Sequence, residues 1–295
     1  MGTWRSWWSS GRGEARDRRG AGRARAGAAL LLAGVLVMGG VPPDAGGAGR
    51  PAIAAHRGGA SLWPENSLTA FRGALGLGVD LVELDVHQTR DGEVVVLHDP
   101  TLDRTTTGRG AVRDLAWAEL RTVTLRGTGD ERLPRLAEVL ALIRPASVGL
   151  LLEIKTGPGG DRYPGIEERV LALVQAAGLT DRTTVMAFDW AILERLRALS
   201  APFRLTGLLS HREAERLGGV GPAVVRVRAL GADDLGIERT LLTPEAVRAA
   251  RGAGLSIGVW TVNEPEEIRR ALDAGVDYVT TDQPDLALRL RGARP

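Results

Sequence analysis

From Ile53 onward, short apolar segments that read as strands alternate with segments of helical period, and this alternation most limits the folds open to the chain. Strand signals fall at 52–55, 81–86, 148–154, 183–188, 203–208, 223–227, 255–260 and 278–280. Helices are predicted between them, among them 68–77, 166–177 and 265–274. Strand, helix and strand repeated this often argue a parallel α/β architecture. With 295 residues, 44% of them hydrophobic, the chain can bury one large core.

On the strand predicted at 81–86, Glu83 and Asp85 are two residues apart and share one face, while Val82, Leu84 and Val86 share the other. Two carboxylates facing a protein interior are costly unless a cation or hydrogen bonds compensate them, so the pair asks for a metal. The turn Arg90-Asp91-Gly92 lies midway between Asp85 and His98, which predicts a hairpin with those two residues facing each other. His56 closes the apolar segment 52–55 and is followed by Arg57 and a glycine pair that would let the backbone approach a ligand. A histidine at a strand end beside arginine is placed for phosphate chemistry. Of the 38 cationic residues only Lys155 is lysine. That singularity suggests a site that wants a compact point charge, and Lys155 again shares a strand face with an acid, Glu153.

The blocks His56-Arg57-Gly58, Pro64-Glu65-Asn66-Ser67, Glu83-Leu84-Asp85-Val86 and Thr89-Arg90-Asp91-Gly92 continue into His98-Asp99-Pro100-Thr101-Leu102-Asp103-Arg104-Thr105-Thr106. Glu153-Ile154-Lys155, Trp260-Thr261-Val262-Asn263 and Thr281-Asp282-Gln283-Pro284-Asp285 follow in order. In this set and order the chain resembles the glycerophosphodiester phosphodiesterase family from His56 to Asp285. Ser67, Ala187 and Gln283 depart from the family pattern, and none belongs to the catalytic set. The resemblance implies a (β/α)8 TIM barrel with a small insertion near its start. It further implies hydrolysis of glycerophosphodiesters to glycerol 3-phosphate and an alcohol, with one divalent cation, Ca²⁺ or Mg²⁺. His56 and His98 would be the acid and base, Glu83, Asp85 and Glu153 the metal ligands, and Arg57 and Lys155 the phosphate contacts. The order of the histidine roles stays open, as does the nucleophile, water or the substrate's own hydroxyl. Catalytic residues at the ends of several strands, with no Gly-rich dinucleotide loop, favour a barrel over a doubly wound sheet.

Residues 1–49 read differently from the barrel domain expected at 50–295. Arginines at 5, 12, 16, 18, 19, 23 and 25 precede an uncharged run at 26–43, the pattern of an export signal or a membrane anchor. The chain has no cysteine, which excludes disulfides and a lipoprotein anchor. Residues 1–50 hold eight arginines against three acids, so with the whole chain at +2 the remainder carries −3. The basic balance belongs to the export segment, and a nucleic-acid partner loses its support. The partner expected is a small glycerophosphodiester, with membrane proximity only through the N-terminal segment.

Five further residues complete the reading. Trp260 ends a strand and is expected to stack on the glycerol or alcohol portion of the substrate. Glu65 is expected to brace Arg57 or a metal-bound water. Asn66 precedes the helix at 68–77 and could serve as its N-cap. His87 and His211 read as surface histidines. Two rival functions remain: a lyase or phospholipase D-like barrel acting on lysophospholipids, and a non-catalytic, membrane-tethered barrel.

Overall fold

The computed structural model describes residues 50–292. The segment read as an export signal lies outside these residues. Among the described residues nine strands form one sheet: β1 (Ala52–Ala55), β2 (Leu81–Gln88), β3 (Val94–Val96), β4 (Gly149–Ile154), β5 (Thr183–Ala187), β6 (Arg204–Leu209), β7 (Asp234–Glu238), β8 (Ser256–Trp260) and β9 (Tyr278–Thr281). All except β3 run parallel, in the order β1, β9, β8, β7, β6, β5, β4, β2. β1 then pairs with β2, Ala54 beside Leu81 and Ala55 beside Val82, so the sheet closes on itself as the expected (β/α)8 barrel.

The helices that cover it are α1 (Leu68–Leu77), α2 (Trp117–Leu120), α3 (Leu136–Ile143), α4 (Ile166–Ala177), α5 (Trp190–Ala198), α6 (His211–Leu217), α7 (Val220–Ala229), α8 (Pro244–Gly252), α9 (Pro265–Asp273) and α10 (Pro284–Gly292). Strand residues of one parity, such as Ile53, Val82, Leu84, Leu150, Leu152, Leu235, Ile257 and Val259, join the helices in the main core. Those of the other parity point inward, where Ala54, Leu151, Met186, Leu208 and Tyr278 pack together with Trp260 against them. Among the described residues no helix is long and apolar enough to cross a membrane.

Two expectations are corrected. The segment 223–227 is helical, inside α7, although its valines suggested a strand. Ala223, Val224 and Val227 are buried while Val225 is 69% exposed, a helical stripe that packs only one side. The strand in that part of the barrel is β7, whose inward positions Asp234, Gly236 and Glu238 carry no apolar signal. The hairpin of β2 and β3 forms, but Val86 pairs with Val96 and His87 with Val95, and Leu97 N–H donates to the Asp85 carbonyl at 3.0 Å. Asp85 therefore lies opposite Leu97, with His98 one residue beyond. The loop is closed by Thr89 N–H donating to the Glu93 carbonyl, which centres the turn on Asp91.

The expected insertion runs from 99 to 134, between β3 and α3. It carries its own small core of Leu102, Val112, Leu120, Leu125 and Leu133 around Val95 and Leu97. Isolated bridges such as Thr101 with Ala111 and Thr106 with Leu125 hold it together.

Deep in the barrel, Gly258 makes room for the Tyr278 ring, since a Cβ there would lie 2.0 Å from a ring carbon. Gly258→Ala should destabilise the protein by about 1–3 kcal/mol through overpacking. Gly76→Ala, on α1 with nothing within 4 Å of the added Cβ, should instead be neutral or stabilising by up to about 1 kcal/mol. Thermal melts of the two variants check the contrast, and equal melting temperatures would refute the packing argument.

Candidate active site

The carboxyl ends of the strands converge on a cleft of about 490 Å³ lined by His56, Arg57, Glu83, His98, Glu153 and Lys155 on its polar side. Met186, Phe188, Leu208 and Trp260 line its apolar side. Glu83 and Asp85 point inward from β2, and the β2–β4 register sets Asp85 beside Glu153. Each of the three offers a carboxylate oxygen within 4.8 Å of the others, and all three are buried, so the group has the reach to hold one cation.

Their compensation is partial. Arg57 N–H donates to Glu83 Oε2 at 2.8 Å, and Asn66 Nδ2 donates to Asp85 Oδ2 at 2.9 Å. Lys155 Nζ lies 2.7 Å from Glu153 Oε1 and 3.4 Å from Asp85 Oδ1, an oxygen that has no hydrogen bond. Burial, with Asp85 and Glu153 alongside, pushes Glu83 up to about 8, and burial also raises Glu153. Burial acts the same way on Asp85, yet Lys155, His98 and Arg57 hold it well below the usual carboxylate range. Burial opposes the Lys155 charge, but Glu153 and Asp85 outweigh it and hold the ammonium above its ordinary value.

The loop after β1 is shaped by this need. Arg57 takes the left-handed conformation at φ 51°, which aims its N–H at Glu83, and Asn66 does so at φ 56°. The glycine pair serves the turn and the packing: a Cβ on Gly58 would lie 2.7 Å from that of Ala70 on α1. Asn66 is not the cap of α1. Ser67 Oγ accepts from Ala70 N–H at 2.9 Å, and the Asn66 side chain is buried against Asp85.

Each cleft histidine is braced through Nδ1. His56 Nδ1 donates to Asp282 Oδ1 at 2.6 Å, and Asn263 Nδ2 donates to the other oxygen of Asp282, also at 2.6 Å. Burial lowers the His56 pKa, but Asp282 and Glu83 outweigh it, so the ring stays protonated above its ordinary range. His98 Nδ1 donates to Asp99 Oδ1 at 2.7 Å. Burial, with the Lys155 and Arg57 charges, holds His98 below its ordinary value despite Asp85 and Asp99. The two rings thus face one cleft with their pKa values displaced in opposite directions.

Glu65 accepts from Arg57 Nη1 at 3.1 Å, and it also meets Arg104. Trp260 is anchored by Nε1–H donating to the Gly236 carbonyl at 3.0 Å and meets Phe188 edge to face at 5.2 Å. Phe188 was not singled out from sequence, nor were Asp99, Arg104, Asn263 and Asp282, although the motif blocks contained all of these except Phe188.

His211 is exposed, as expected, beside Glu215. His87 is not a surface residue. It is fully buried, with Nδ1 at 2.8 Å from the Tyr163 hydroxyl and Nε2 donating to the His98 carbonyl at 3.0 Å. It shares the inward parity of Glu83 and Asp85, a signal present in the sequence.

A cleft that gathers two histidines, an arginine and a lysine around buried carboxylates at the carboxyl end of a (β/α)8 barrel is suited to phosphodiester chemistry. The profile of the Glycerophosphoryl diester phosphodiesterase family matches residues 56–286. A glycerophosphodiester phosphodiesterase of Caldanaerobacter subterraneus subsp. tengcongensis is 34% identical over 243 residues, 81% of this chain and 96% of its own. The crystal structure of a glycerophosphodiester phosphodiesterase from Agrobacterium tumefaciens superposes with a TM-score of 0.68 at 29% identity, covering 81% of this chain and 99% of that one. An Oleispira antarctica phosphodiesterase solved with its product sn-glycerol-3-phosphate gives 0.70 at 25% identity, covering 83% and 98%. The chain belongs to the glycerophosphoryl diester phosphodiesterase family and is an enzyme. A non-catalytic role is thereby set aside.

Burial pushes His87 down to about 4, so the folded protein holds it neutral while the unfolded chain protonates it below its ordinary 6.5. Stability should therefore fall as pH drops from 6.5 to about 4, by on the order of 3 kcal/mol from this residue, and the contribution should level off below that. Urea unfolding of wild type and His87→Gln between pH 7.5 and 4.5 tests this. Parallel pH dependences would show that His87 carries none of the acid sensitivity.

Proposed function

We propose that the cleft hydrolyses glycerophosphodiesters to glycerol 3-phosphate and an alcohol, with a divalent cation and with His98 and His56 as base and acid. The observation that carries this reading is the buried carboxylate group within 4.8 Å, flanked by Lys155 and Arg57 and faced by two braced histidines. The donor set suits a hard cation: all oxygen, one of them Asp85 Oδ1 buried without a hydrogen bond, and Glu83 pushed up to about 8 by burial and by Asp85 and Glu153. Glu83, Asp85 and Glu153 would hold Ca²⁺ or Mg²⁺, which supplies charge neutralisation at the phosphate.

The protein's own groups do the rest. Arg57 and Lys155 bind the non-bridging oxygens as charge builds on them. At Nε2, the ring atom left available by the Nδ1 bond to Asp99, neutral His98 takes the proton of the attacking group, which is water, or the substrate's own hydroxyl with water opening the resulting cyclic phosphate afterwards. Protonated His56 delivers a proton from Nε2 to the leaving alkoxide, its ring held by Asp282. Trp260 and Phe188 wall the side where the organic portion lies.

Purified protein incubated with glycerophosphocholine and Ca²⁺ or Mg²⁺ should release glycerol 3-phosphate, and excess EDTA should abolish the release reversibly. The pH profile of kcat/KM should be a bell: it rises where His98 loses its proton, below the ordinary 6.5, and falls where His56 loses its own, above 6.5. Full activity in EDTA would sink the cation assignment. One observation favours a second reading, action on lysophospholipids: Phe188 is 41% exposed beside the apolar wall. Lysophosphatidylcholine in the same assay distinguishes the two, by turnover exceeding that of glycerophosphocholine.

Lys155→Arg should lose roughly 10²-fold in kcat/KM, about 2.7 kcal/mol of transition-state stabilisation. Lys155 Nζ already lies between Glu153 and Asp85, so a longer fork would capture Glu153 in a bidentate pair and withdraw a cation ligand. Near-normal turnover with an unchanged melting temperature would remove the lysine from the mechanism.

A further inference from the structure

Arg104 lies in the insertion, outside the barrel, with its side chain 48% exposed, yet its guanidinium forms two forks at once. Nε and Nη2 donate to Oδ2 and Oδ1 of Asp99 at 2.6 and 2.9 Å. Nη1 and Nη2 donate to Oε2 and Oε1 of Glu65, both at 2.8 Å. Each carboxylate holds a group of the cleft. Asp99 accepts from His98 Nδ1 at 2.7 Å, and Glu65 accepts from Arg57 Nη1 at 3.1 Å. One unbroken chain of hydrogen bonds thus runs His98, Asp99, Arg104, Glu65, Arg57.

We infer that Arg104 is a positioning residue that sets the His98 ring and the Arg57 guanidinium relative to each other. The inference rests on the reading of His98 as the proton acceptor and Arg57 as a phosphate contact. An ordinary exposed ion pair orders little, because its side chains move freely and solvent screens the charges. A planar fork bound bidentately on both sides fixes direction as well as distance. His98 needs such a brace, because it lies beyond the last paired residue of β3 and its partner Asp99 belongs to the insertion. Glu65 also needs one. Without Arg104, all of its charge would fall on Arg57 and draw that guanidinium toward the loop and away from Asp85, whose Oδ2 lies 3.5 Å from Arg57 Nε. Lysine at 104 would offer a point charge to one carboxylate and could not bridge both.

The test uses the full protein and the variants Arg104→Ala, Arg104→Lys, Asp99→Asn and Asp99→Asn with Arg104→Ala, with kcat and KM measured separately. Arg104→Ala should lose roughly tenfold or more in kcat/KM, the usual cost of removing a residue that orients catalytic groups. The loss should be split between a lower kcat from His98 and a higher KM from Arg57. Millimolar guanidinium ion should restore part of it, since the site is open to solvent, and Arg104→Lys should not. The double variant should be no worse than the more damaging single one, because both changes break the same chain.

Wild-type kcat/KM in Arg104→Ala or Arg104→Lys would overturn the inference. So would a loss that tracks the melting temperature and resists guanidinium, or costs of Asp99→Asn and Arg104→Ala that simply add. His98→Gln separates the two levels. If it keeps turnover, the reading of His98 itself fails; if it is inactive while Arg104→Ala is normal, only the role of Arg104 fails.

Discussion

Three carboxylates are buried on the inner face of two neighbouring strands, and the surroundings of the cleft are arranged around that burial. The β2–β4 register sets Asp85 directly beside Glu153, with Glu83 one inward position below. Charges so placed lose hydration, and removing one compensating partner from a buried ion pair typically costs about 3–5 kcal/mol. The partners come from separate parts of the chain: Arg57 from the end of β1, Asn66 from the loop before α1, and Lys155 from the end of β4. Two of them, Arg57 and Asn66, adopt left-handed backbone conformations to deliver their groups. Such conformations cost on the order of 1–3 kcal/mol each and persist because the surrounding structure holds them. The barrel satisfies these demands at its carboxyl end because strand termini from the whole circumference meet there.

The two histidines acquire different properties from different neighbours, not from different chemistry. His56 is deeply buried but faces Asp282 and Glu83, whose negative charge favours the imidazolium. His98 faces Lys155 and Arg57, and the carboxylate at its Nδ1 is already shared with Arg104. An asymmetry of this kind lets one cleft hold a proton donor and a proton acceptor at the same pH. The insertion, which adds no strand to the barrel, supplies Asp99, which accepts from His98 Nδ1, and Arg104, which forks onto Asp99. His87 adds a further tie beneath it by holding the carbonyl of His98.

Much of the barrel was legible because a strand with one face on helices and one face inward writes its orientation as a period of two. Glu83, Asp85, Glu153 and Lys155 stood out as polar residues at inward positions of apolar strands, and the structure brings all four into one cleft. The same period contained His87, which was misread because a single histidine after the last apolar residue looks like a strand leaving the core. Segment 223–227 was misread for the converse reason: β-branched residues suggest a strand, but tertiary packing of Ala223, Val224 and Val227 fixes a helix. β7 was overlooked because Asp234, Gly236 and Glu238 face a barrel interior that other strands fill, Tyr278 in particular.

By itself the sequence determined the parity of β2 and β4, the motif blocks and therefore the family, because these are properties of residues near one another along the chain. The tertiary structure alone decided which groups meet across long separations. Asp282 reaches His56 across 226 positions, and Arg104 reaches Glu65 across 39. It also decided the hairpin register, with Leu97 and not His98 opposite Asp85, and the direction in which each histidine pKa is displaced. The physical reason is the same in each case. Contacts, burial and local field depend on what the closed barrel places within a few ångströms, and residue order does not encode those distances.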